Sequence, residues 1–269
     1  MTDLEARIAG ARAYEDLHVP ALFEQWSPLV LDAAGVCEGH RVLDVACGTG
    51  VLARAAARRV GARGFVAGVD PEKGMLTVAR EQSPDVEWTK GTAESLPHPD
   101  GSFDAVVSQF GLMFFVDRKQ ALREMLRVLK PGGRIAVAVW DRLENSDAYP
   151  EEVELLERIA GETAANALRA PFVLGDTREL IALFQAAGID SVTVETHDGT
   201  ARFPSVRTMV EADLRGWLPV MGVFLKELEI ETILQAAEDA LEAYVSDQGR
   251  VFFNAPAHIV TGARAQPKT

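Results

Sequence analysis

The stretch VLDVACGTG, residues 42–50, decides how the rest of the sequence is interpreted. It begins as a short apolar run typical of a buried strand, but an aspartate, Asp44, interrupts the run. It ends in small residues, with Gly48 and Gly50 on either side of Thr49. A strand that leads through such a turn into a helix brings free backbone N–H groups to its carboxyl end, here beside a carboxylate. The stretch therefore predicts a ligand site at the end of this strand.

Strand-like and helix-like segments alternate on both sides of this turn. Such alternation predicts right-handed βαβ crossovers and a mostly parallel sheet. Near-continuous apolar runs favour strands that helices cover on both faces. The predicted strands are 41–47, 64–70, 86–91, 103–110 and 134–140, and the predicted helices between them are 50–60, 72–82 and 119–130.

Several predicted boundaries outside these segments depend on proline or glycine. Pro20 is expected to open a helix that Gly35 closes. The Pro-Gly-Gly sequence at 131–133 is expected to end the helix before it and to form the turn into the next strand. The other predicted elements are a helix over 153–168, a helix over 177–188, a strand with a hairpin arm over 191–203, mainly helices over 205–246, and a strand pair over 250–264 with a break at Pro256.

Composition and charge exclude several classes of protein. Forty acidic residues against 27 basic ones give a net charge of −13, which repels a phosphate backbone, so we expect no nucleic-acid partner. No apolar run is long enough to span a membrane, and the acidic first residues do not resemble a signal peptide. We therefore expect a cytoplasmic protein with no membrane partner. The two cysteines, Cys37 and Cys47, fit no zinc or redox spacing, so we predict no metal.

The glycine turn fits two classes of cofactor. Gly48-x-Gly50-x-x-Ala53, with Asp70 about 20 residues further on, matches the dinucleotide fingerprint. A dinucleotide would place its negative pyrophosphate at the start of the helix, where the carboxylate of Asp44 would repel it. S-adenosylmethionine (SAM) instead carries a sulfonium and an ammonium, and a carboxylate attracts both of these positive charges. The electrostatics therefore favour SAM.

Four segments, in order along the chain, resemble the motifs of class I SAM-dependent methyltransferases, of the general methyltransferase type 11 kind. VLDVACGTG resembles the first motif, GVDPEKGML the second-strand motif, and KGTAESLPHPDGSFDAVVSQFGLMFF the third and fourth. ALREMLRVLKPGGRIAVAVW resembles the segment that leads into strand five. The resemblance implies a Rossmann-like α/β fold with a seven-stranded, mostly parallel sheet, an antiparallel last strand, helices on both faces and an added helical lid. It also implies SAM as cofactor and S-adenosylhomocysteine (SAH) as product.

The same resemblance implies which residues bind the cofactor. Asp44 would lie near the methionine part of SAM, and Asp70 would accept hydrogen bonds from both ribose hydroxyls. Met75 would pack on the adenine face. Thr92 stands where many relatives have an aspartate, so it could offer adenine only a weaker, neutral hydrogen bond. The implied cofactor-binding residues are Tyr14, Asp44, Ala46, Gly48, Thr49, Gly50, Asp70, Pro71, Met75, Thr92, Ala93, Glu94, Gln109 and Phe110.

Candidates for catalysis are fewer. Methyl transfer from a sulfonium is an in-line displacement that needs mainly alignment, proximity and exclusion of water, although an oxygen or nitrogen nucleophile can also need a general base. Gln109 ends the predicted fourth strand, where the transferable methyl group points in the family, and it would touch the cofactor's ammonium or the substrate. His18 is the favoured base, because the N-terminal arm covers the active site in similar enzymes. His98, His197, His258, Tyr14 and Glu24 remain alternatives to it.

The segment GWLPVMGVFLKELE, residues 216–229, is densely apolar. One interpretation is that Trp217 and Met221 line a pocket for an apolar or aromatic small-molecule acceptor. The other is that the segment packs onto the core or forms a dimer contact, and we expect a monomer or a homodimer. The predicted organisation is an arm (1–35), a SAM-binding core (36–140), the remainder of the core (141–204), a helical lid (205–247), and a final strand with a tail (248–269).

Three functions therefore compete. The leading one is a methyltransferase, EC 2.1.1.-, that transfers a methyl group from SAM to an oxygen, nitrogen or carbon atom of a small molecule. The second is a protein of the same fold without methyl transfer, such as a binding module or a SAM-assisted cyclase. The third is an NAD-dependent oxidoreductase, which the literal glycine match favours, although the sequence has no Tyr-x-x-x-Lys pair of the kind expected there.

Overall fold

The structure, a computed structural model, describes residues 2–266; Met1 and residues 267–269, which the predicted arm and tail include, lie outside them. The strands of the described residues are β1 (Arg41–Val45), β2 (Phe65–Asp70), β3 (Glu87–Lys90), β4 (Phe103–Gln109), β5 (Leu129–Trp140), β6 (Thr193–His197), β7 (Thr200–Phe203), β8 (Val251–Asn254) and β9 (Ala257–Ala263). Seven of them form one sheet in the order β3-β2-β1-β4-β5-β9-β6, and β7 pairs with β8. β9 is antiparallel to both its neighbours. The predicted Rossmann-like sheet with an antiparallel last strand is confirmed.

The helices occupy the connections between these strands, and some of them pack on one another as a second layer. They are α1 (Asp3–Ala13), α2 (Ser27–Ala33), α3 (Val51–Val60), α4 (Lys73–Gln82), α5 (Arg118–Val128), α6 (Tyr149–Ala160), α7 (Glu162–Arg169), α8 (Thr177–Ala186), α9 (Val206–Ala212), α10 (Leu218–Val220) and α11 (Glu227–Ala240). Two further segments, Tyr14–Phe23 and Asp213–Trp217, are π-helical. None of these helices is long and apolar enough to cross a membrane.

The apolar strands β1 and β4 form the centre of the core. Val42, Leu43 and Val45 of β1 are fully buried, and their strand lies between β2 and β4. The carboxyl ends of parallel strands lie at one edge of a sheet, and in open α/β folds a crevice forms outside this edge where the strand order reverses. Here the order reverses between β1 and β4, so the turn after β1 lies at that crevice.

The helix α5 illustrates how sequence determines an element of this layer. Its buried residues are Ala121, Leu122, Met125 and Val128, which fall on one helical face at spacings of one, four and seven residues. Asp117 caps the start of the helix by accepting a hydrogen bond from the backbone N–H of Gln120 at 2.9 Å. The helix packs on β4 and β5, which cover its apolar stripe.

Two boundary predictions based on proline are wrong. Pro20 does not open a helix, because it lies inside the π-helical segment Tyr14–Phe23, and the following α-helix begins at Ser27. Residues 131–133 do not separate a helix from a strand, because α5 has already ended and these residues lie inside β5. They form an irregularity at which the pairing of β4 with β5 shifts register, and Gly132 has φ +80°. The chain therefore bends within the strand.

The predicted helix over 153–168 is two helices, α6 and α7, separated at Gly161. Gly161 has φ +86°, a conformation that favours glycine and ends a helix. α6 packs on α7 and on α11, and α11 packs on α9. This second layer, which we call the helical cap (α6, α7 and residues 206–240), therefore combines segments from both sides of residue 204. The division of the chain into a core remainder and a lid stays a prediction.

Candidate active site

The turn after β1 has a strained backbone that only small residues adopt easily. Ala46, Gly48 and Gly50 have φ of +58°, +53° and +90°. A Cβ atom on Gly50 would lie 2.3 Å from the ring of Trp88 on β3, so this glycine packs against an aromatic side chain. A Cβ atom on Gly48 would meet nothing within 4 Å. The turn thus needs Gly50 for packing, whereas Gly48 leaves open space at the strand end.

Asp44 lies beside that open space as a buried acid without a partner. The residue is 1% exposed, and neither carboxylate oxygen has a hydrogen-bond partner among the described residues. Burial raises the pKa of Asp44 well above its usual value, and the charge of Asp70 adds to the rise; the backbone N–H of Ala53 opposes it without reaching hydrogen-bond geometry. A buried, unpaired carboxylate of this kind is suited to a positively charged ligand.

Asp70, at the end of β2, connects the neighbouring strand to the same turn. Its carboxylate accepts hydrogen bonds from the backbone N–H of Gly48 at 2.9 Å and of Glu72 at 2.8 Å. Burial raises its pKa, while these two N–H groups lower it. Asp70 therefore holds the turn and the start of α4 in place in this structure, and its predicted contact with ribose stays a prediction.

A cavity of about 70 Å³ opens at this strand end. Seven of the predicted cofactor-binding residues line it, which confirms that they lie together but not that they bind a cofactor. Sequence reasoning did not include four other residues of the lining. The lining residues are Tyr14, Asp44, Ala46, Gly48, Thr49, Gln109 and Phe110 from the prediction, and Phe23, Cys47, Val51 and Leu52 in addition.

The N-terminal arm closes the cavity with a stack of aromatic rings. The ring of Tyr14 lies 5.5 Å from that of His18 and 5.4 Å from that of Phe23. In an α-helix, nine residues cover about two and a half turns, so Tyr14 and Phe23 would face opposite sides. The wider turn of the π-helix brings both onto one side. Burial raises the pKa of the Tyr14 phenol, and the nearby acids add to this rise, so the phenol stays protonated.

Gln109 attaches this arm to the sheet. Its side-chain amide donates to the backbone carbonyl of Phe23 at 3.0 Å, and its carbonyl oxygen accepts from the hydroxyl of Ser27 at 3.2 Å. The next residue, Phe110, has φ +56°, and its ring stacks on that of Trp140 at 4.0 Å. The amide of Gln109 is thus satisfied by the arm, and any contact it makes with a cofactor or substrate stays a prediction.

The predicted adenine-binding residues lie outside the cavity, around the ends of β2 and β3. Met75 is half-buried on α4, and Pro71 and Thr92 are exposed. Ala93 is buried. The carboxylate of Glu94 accepts a hydrogen bond from the backbone N–H of Val116 at 2.9 Å, so it holds the loop between β4 and α5. Their roles toward adenine stay predictions.

The remaining predicted residues lie on the side of the arm that faces the helical cap. Nε2 of His18 is 3.7 Å from Oδ1 of Asp213. The indole N–H of Trp217 donates to the backbone carbonyl of Ala167 at 2.8 Å, which fixes the ring to α7. Met221 is 37% exposed. None of these three predicted residues lines the cavity at the turn.

Within residues 2–266, no group of three or more His, Cys, Asp or Glu side chains could hold a metal ion.

Fold and site together define a class I SAM-dependent methyltransferase, and comparison with known proteins supports this class. The family described as a methyltransferase domain matches residues 43–137. The ubiquinone/menaquinone biosynthesis C-methyltransferase UbiE of Pseudomonas entomophila (strain L48) is 36% identical over 184 residues, which cover 62% of this chain and 72% of that protein. The chain therefore belongs to the SAM-dependent methyltransferase family that includes these enzymes, and SAM is its cofactor.

Two further matches show how far the similarity extends. UbiE of Hahella chejuensis (strain KCTC 2396) is 42% identical over 143 residues, which cover 50% of this chain and 57% of that protein. This match thus spans little more than half of the relative's length. The structure of the YcgJ protein from Bacillus subtilis aligns with a TM-score of 0.59 at 23% identity, and covers 90% of this chain and 99% of that one. At this identity the structural match shows the fold alone.

The residues around the turn fit SAM. The unpaired carboxylate of Asp44 offers a negative charge to the sulfonium and the ammonium, and the space above Gly48 lets a ligand approach the backbone. A binding pocket for a molecule of drug size occupies roughly 300–1,000 Å³, which is several times the volume of the cavity under the arm. The predicted adenine-binding residues lie outside this cavity, so it would take up only part of the cofactor.

Proposed function

We propose that this methyltransferase transfers the methyl group of SAM to a carbon, oxygen or nitrogen atom of a small, apolar or aromatic molecule. The observation that carries the proposal is the buried, unpaired Asp44 beside a cavity that aromatic side chains cover. The relatives are named C-methyltransferases, so carbon is the first acceptor atom to test. Aromatic rings from Tyr14, Phe23 and Phe110 line the cavity and suit an apolar acceptor.

Bound SAM supplies a methyl group on a positively charged sulfur, which is already activated for displacement. The chain's own residues would then act by position. Asp44 would hold the positive charge, and Gly48 would leave room beside it. Tyr14 and Phe23 would exclude water, because the arm carries them over the cavity. Alignment and proximity of this kind can contribute roughly 7 kcal/mol or more to lowering a barrier.

For proton removal from the acceptor, His18 remains our proposed base. It stacks on Tyr14, which lines the cavity, and it faces Asp213 of the helical cap. Gln109 would keep the arm closed during the reaction and contact the cofactor or the acceptor. Trp217 and Met221 would line the acceptor's path on the cap side. The adenosine part of SAM would be held by Asp70, Pro71, Met75, Thr92, Ala93 and Glu94.

Further parts of the proposal concern where and with what the protein works. We propose that it acts in the cytoplasm as a monomer or homodimer, needs no metal and binds no nucleic acid. The net charge of −13 supports the last point. The helical lid over 205–247 and the arm over 1–35 would open and close the site.

Isothermal titration calorimetry with SAM, SAH and NADH tests the cofactor assignment. We expect SAM and SAH to bind and to raise the melting temperature, because a ligand that binds only the native state stabilises it. NADH should do neither, since Asp44 would repel its pyrophosphate. Binding of NADH without a response to SAM or SAH would refute the proposal.

A second measurement tests the transfer itself. Protein incubated with methyl-labelled SAM and a panel of phenols, quinols and aromatic amines should produce labelled acceptor and SAH in equal amounts. Tight SAM binding with no transfer to any acceptor would instead favour a binding module or a SAM-assisted cyclase of the same fold.

A further inference from the structure

A second group of buried ionisable side chains lies on the cap side of the arm. It consists of Glu152 and Tyr149 from α6, Asp213 from the π-helical segment before α10, and His18 from the arm; we call it the cap acid cluster. Glu152 is 0% exposed and Asp213 is 5% exposed. Both carboxylate oxygens of Glu152 and Oδ2 of Asp213 have no hydrogen-bond partner in the part of the chain that the structure describes.

The charges of these side chains act on one another. Burial raises the pKa of Glu152 well above its usual value, and the negative charge of Asp213 raises it further. Burial also raises the pKa of Tyr149, with additional contributions from Asp213 and Glu152. No positively charged group is among the causes of either shift. The two carboxyl groups therefore interact with each other in one buried environment.

The cap acid cluster lies close to the cavity at the glycine turn. The ring of His18 stacks on that of Tyr14, which lines the cavity, and Nε2 of His18 lies 3.7 Å from Asp213 on the other side. Trp217 follows Asp213 by one turn in the same π-helical segment. A molecule that extends from the cavity past Tyr14 and His18 would therefore come to Asp213.

Burying unpaired carboxyl groups costs several kcal/mol unless a donor satisfies them. Three carboxylate oxygens lack a donor here, two from Glu152 and one from Asp213. A primary ammonium group offers three N–H donors and a positive charge, which is what these oxygens lack. A neutral hydroxyl group offers a single donor and no charge. The cluster is therefore matched better by an ammonium group than by an alcohol or a phenol.

We propose that Glu152 and Asp213 bind the primary ammonium group of the acceptor, which makes the substrate an arylalkylamine, an aromatic ring that carries a primary alkylamine; this rests on the proposed function and names its substrate class. An ammonium group has no free lone pair, so it is the anchor and not the methylated atom. The methylated atom lies at the other end of the acceptor, beside Gln109 and Phe110. His18 lies between the two ends.

Calorimetric titration of the SAH-saturated protein with phenethylamine and with 2-phenylethanol tests this proposal. The two probes have the same shape and differ in the charged group. We expect the amine to bind at least about tenfold more tightly than the alcohol, a difference of about 1.4 kcal/mol. Burial raises the pKa of Glu152, and a bound ammonium group would lower it again, so amine binding should release protons to the buffer. The proton release is read from the dependence of the binding heat on the buffer.

Matched variants separate this site from the cofactor site. E152Q and D213N should lose the preference for the amine, and E152Q should also lose the proton release, while both keep their affinity for SAH. E154Q, which changes an exposed acid on the same helix, should behave like the original protein.

Other results of the titration distinguish failure of the amine anchor from failure of the proposed function. Equal affinity for the two probes, or amine binding without proton release, in a protein that binds SAH overturns the amine anchor and leaves the proposed function standing. Failure of the protein to bind SAH overturns both. The comparison of the two probes in the original protein requires no variant, so a variant that fails to fold does not affect it.

Discussion

The cofactor region, residues 41–140, and the helical cap each bury a carboxyl group without a partner, but they do so in different ways. Asp44 lies in a short motif whose neighbours in sequence are also its neighbours in space. Glu152 and Asp213 come from segments about 60 residues apart, and packing of the cap brings them together. The chemistry of a local motif can thus be recognised in the sequence, whereas that of a site assembled from distant helices cannot. The arm, which contacts both regions, connects them.

The largest effect is expected at Asp44. Asp44→Asn should weaken SAM binding at least about 100-fold, since leaving one member of a buried charge pair alone costs about 3–5 kcal/mol. The same change should raise the free energy of unfolding of the free protein by about 1–2 kcal/mol, because it removes a buried, unpaired acid. Calorimetry with SAM and chemical denaturation measure the two effects. If SAM affinity and stability fall together, Asp44 has a structural role. The cofactor region would then not bury an unpaired acid for a ligand, as the comparison with the helical cap assumes.

The pH dependence follows from the direction of the Asp44 shift. The pKa of Asp44 is raised in the free protein, and a bound cation favours the ionised form, so the affinity for SAM should rise with pH through this raised pKa. Stability should change in the opposite sense. The native state holds a proton that the unfolded chain has lost, so the free energy of unfolding falls as pH rises above the ordinary aspartate value toward the raised one. Asp44→Asn should reduce both slopes.

Two glycines of the turn allow a sharper test inside the cofactor region. Gly50→Ala should cost about 3 kcal/mol of stability, because it combines a clash with the Trp88 ring and a left-handed backbone conformation. Gly48→Ala should cost about 1–2 kcal/mol from backbone strain alone, since its Cβ enters open space.

For SAM binding, Gly48→Ala should have the larger effect of the two variants. The new methyl group of Gly48→Ala would occupy the space predicted for the cofactor, so SAM affinity should fall although the protein stays folded. Denaturation midpoints and calorimetry compare the pair. An equal stability loss in the two variants would contradict the different packing of the two glycines.

Substitution of Trp217 tests whether a change in the stability of the cap alters the affinity of the cofactor site for SAH. Trp217→Ala should destabilise the protein by about 2 kcal/mol, less than for a fully buried tryptophan, because its ring is half-buried between α7 and Phe114. The affinity for SAH should change by less than about twofold, because sites without shared partners act additively. Trp217→Phe is the control that keeps a ring and removes the hydrogen bond to Ala167. A tenfold loss of SAH affinity in Trp217→Ala would show that the two regions are coupled.

If Trp217 lines the acceptor's path, the acceptor's Michaelis constant should rise far more than the dissociation constant of SAM. An equal loss in both, together with the loss of stability, would favour the packing interpretation of this residue.

The smallest effect is expected where the arm meets the sheet. Gln109→Ala removes two hydrogen bonds to the arm, which together stabilise the closed form by about 1–2 kcal/mol. SAH should then dissociate about tenfold faster with little change in its association rate. Stopped-flow fluorescence measures both rates, and amide hydrogen exchange should increase over residues 14–26. Unchanged dissociation would mean that the aromatic rings, and not Gln109, keep the arm closed.

The cofactor region could be predicted from the sequence because its signals are local. The strands and the turn at Gly48 each depend on a few adjacent residues. Phe23 was missed as a lining residue because a π-helix, and not the expected α-helix, carries it to the cavity. Residues 131–133 were misplaced because a bulge inside a strand and a turn before it have the same Pro-Gly-Gly signature.

The cap acid cluster left a weaker signal. Glu152 lies on the same stripe as Tyr149, Val153 and Leu156, at helical spacings of three and four residues, so an acid on an apolar face was visible in the sequence. Its partner Asp213 could not be identified, since no periodicity relates two helices that lie so far apart along the chain. Tertiary packing decides such contacts, and local sequence does not encode them.

The π-helical arm makes the site sensitive to the number of residues between Tyr14 and Phe23. Its wide turn accommodates one residue more than an α-helical turn would. Deleting a single residue, such as Val19, would allow an ordinary α-helix to form and would rotate Phe23 by about 80° relative to Tyr14. Insertions and deletions in this segment, rather than substitutions, are therefore the changes through which related sequences could acquire or lose a closed reaction chamber.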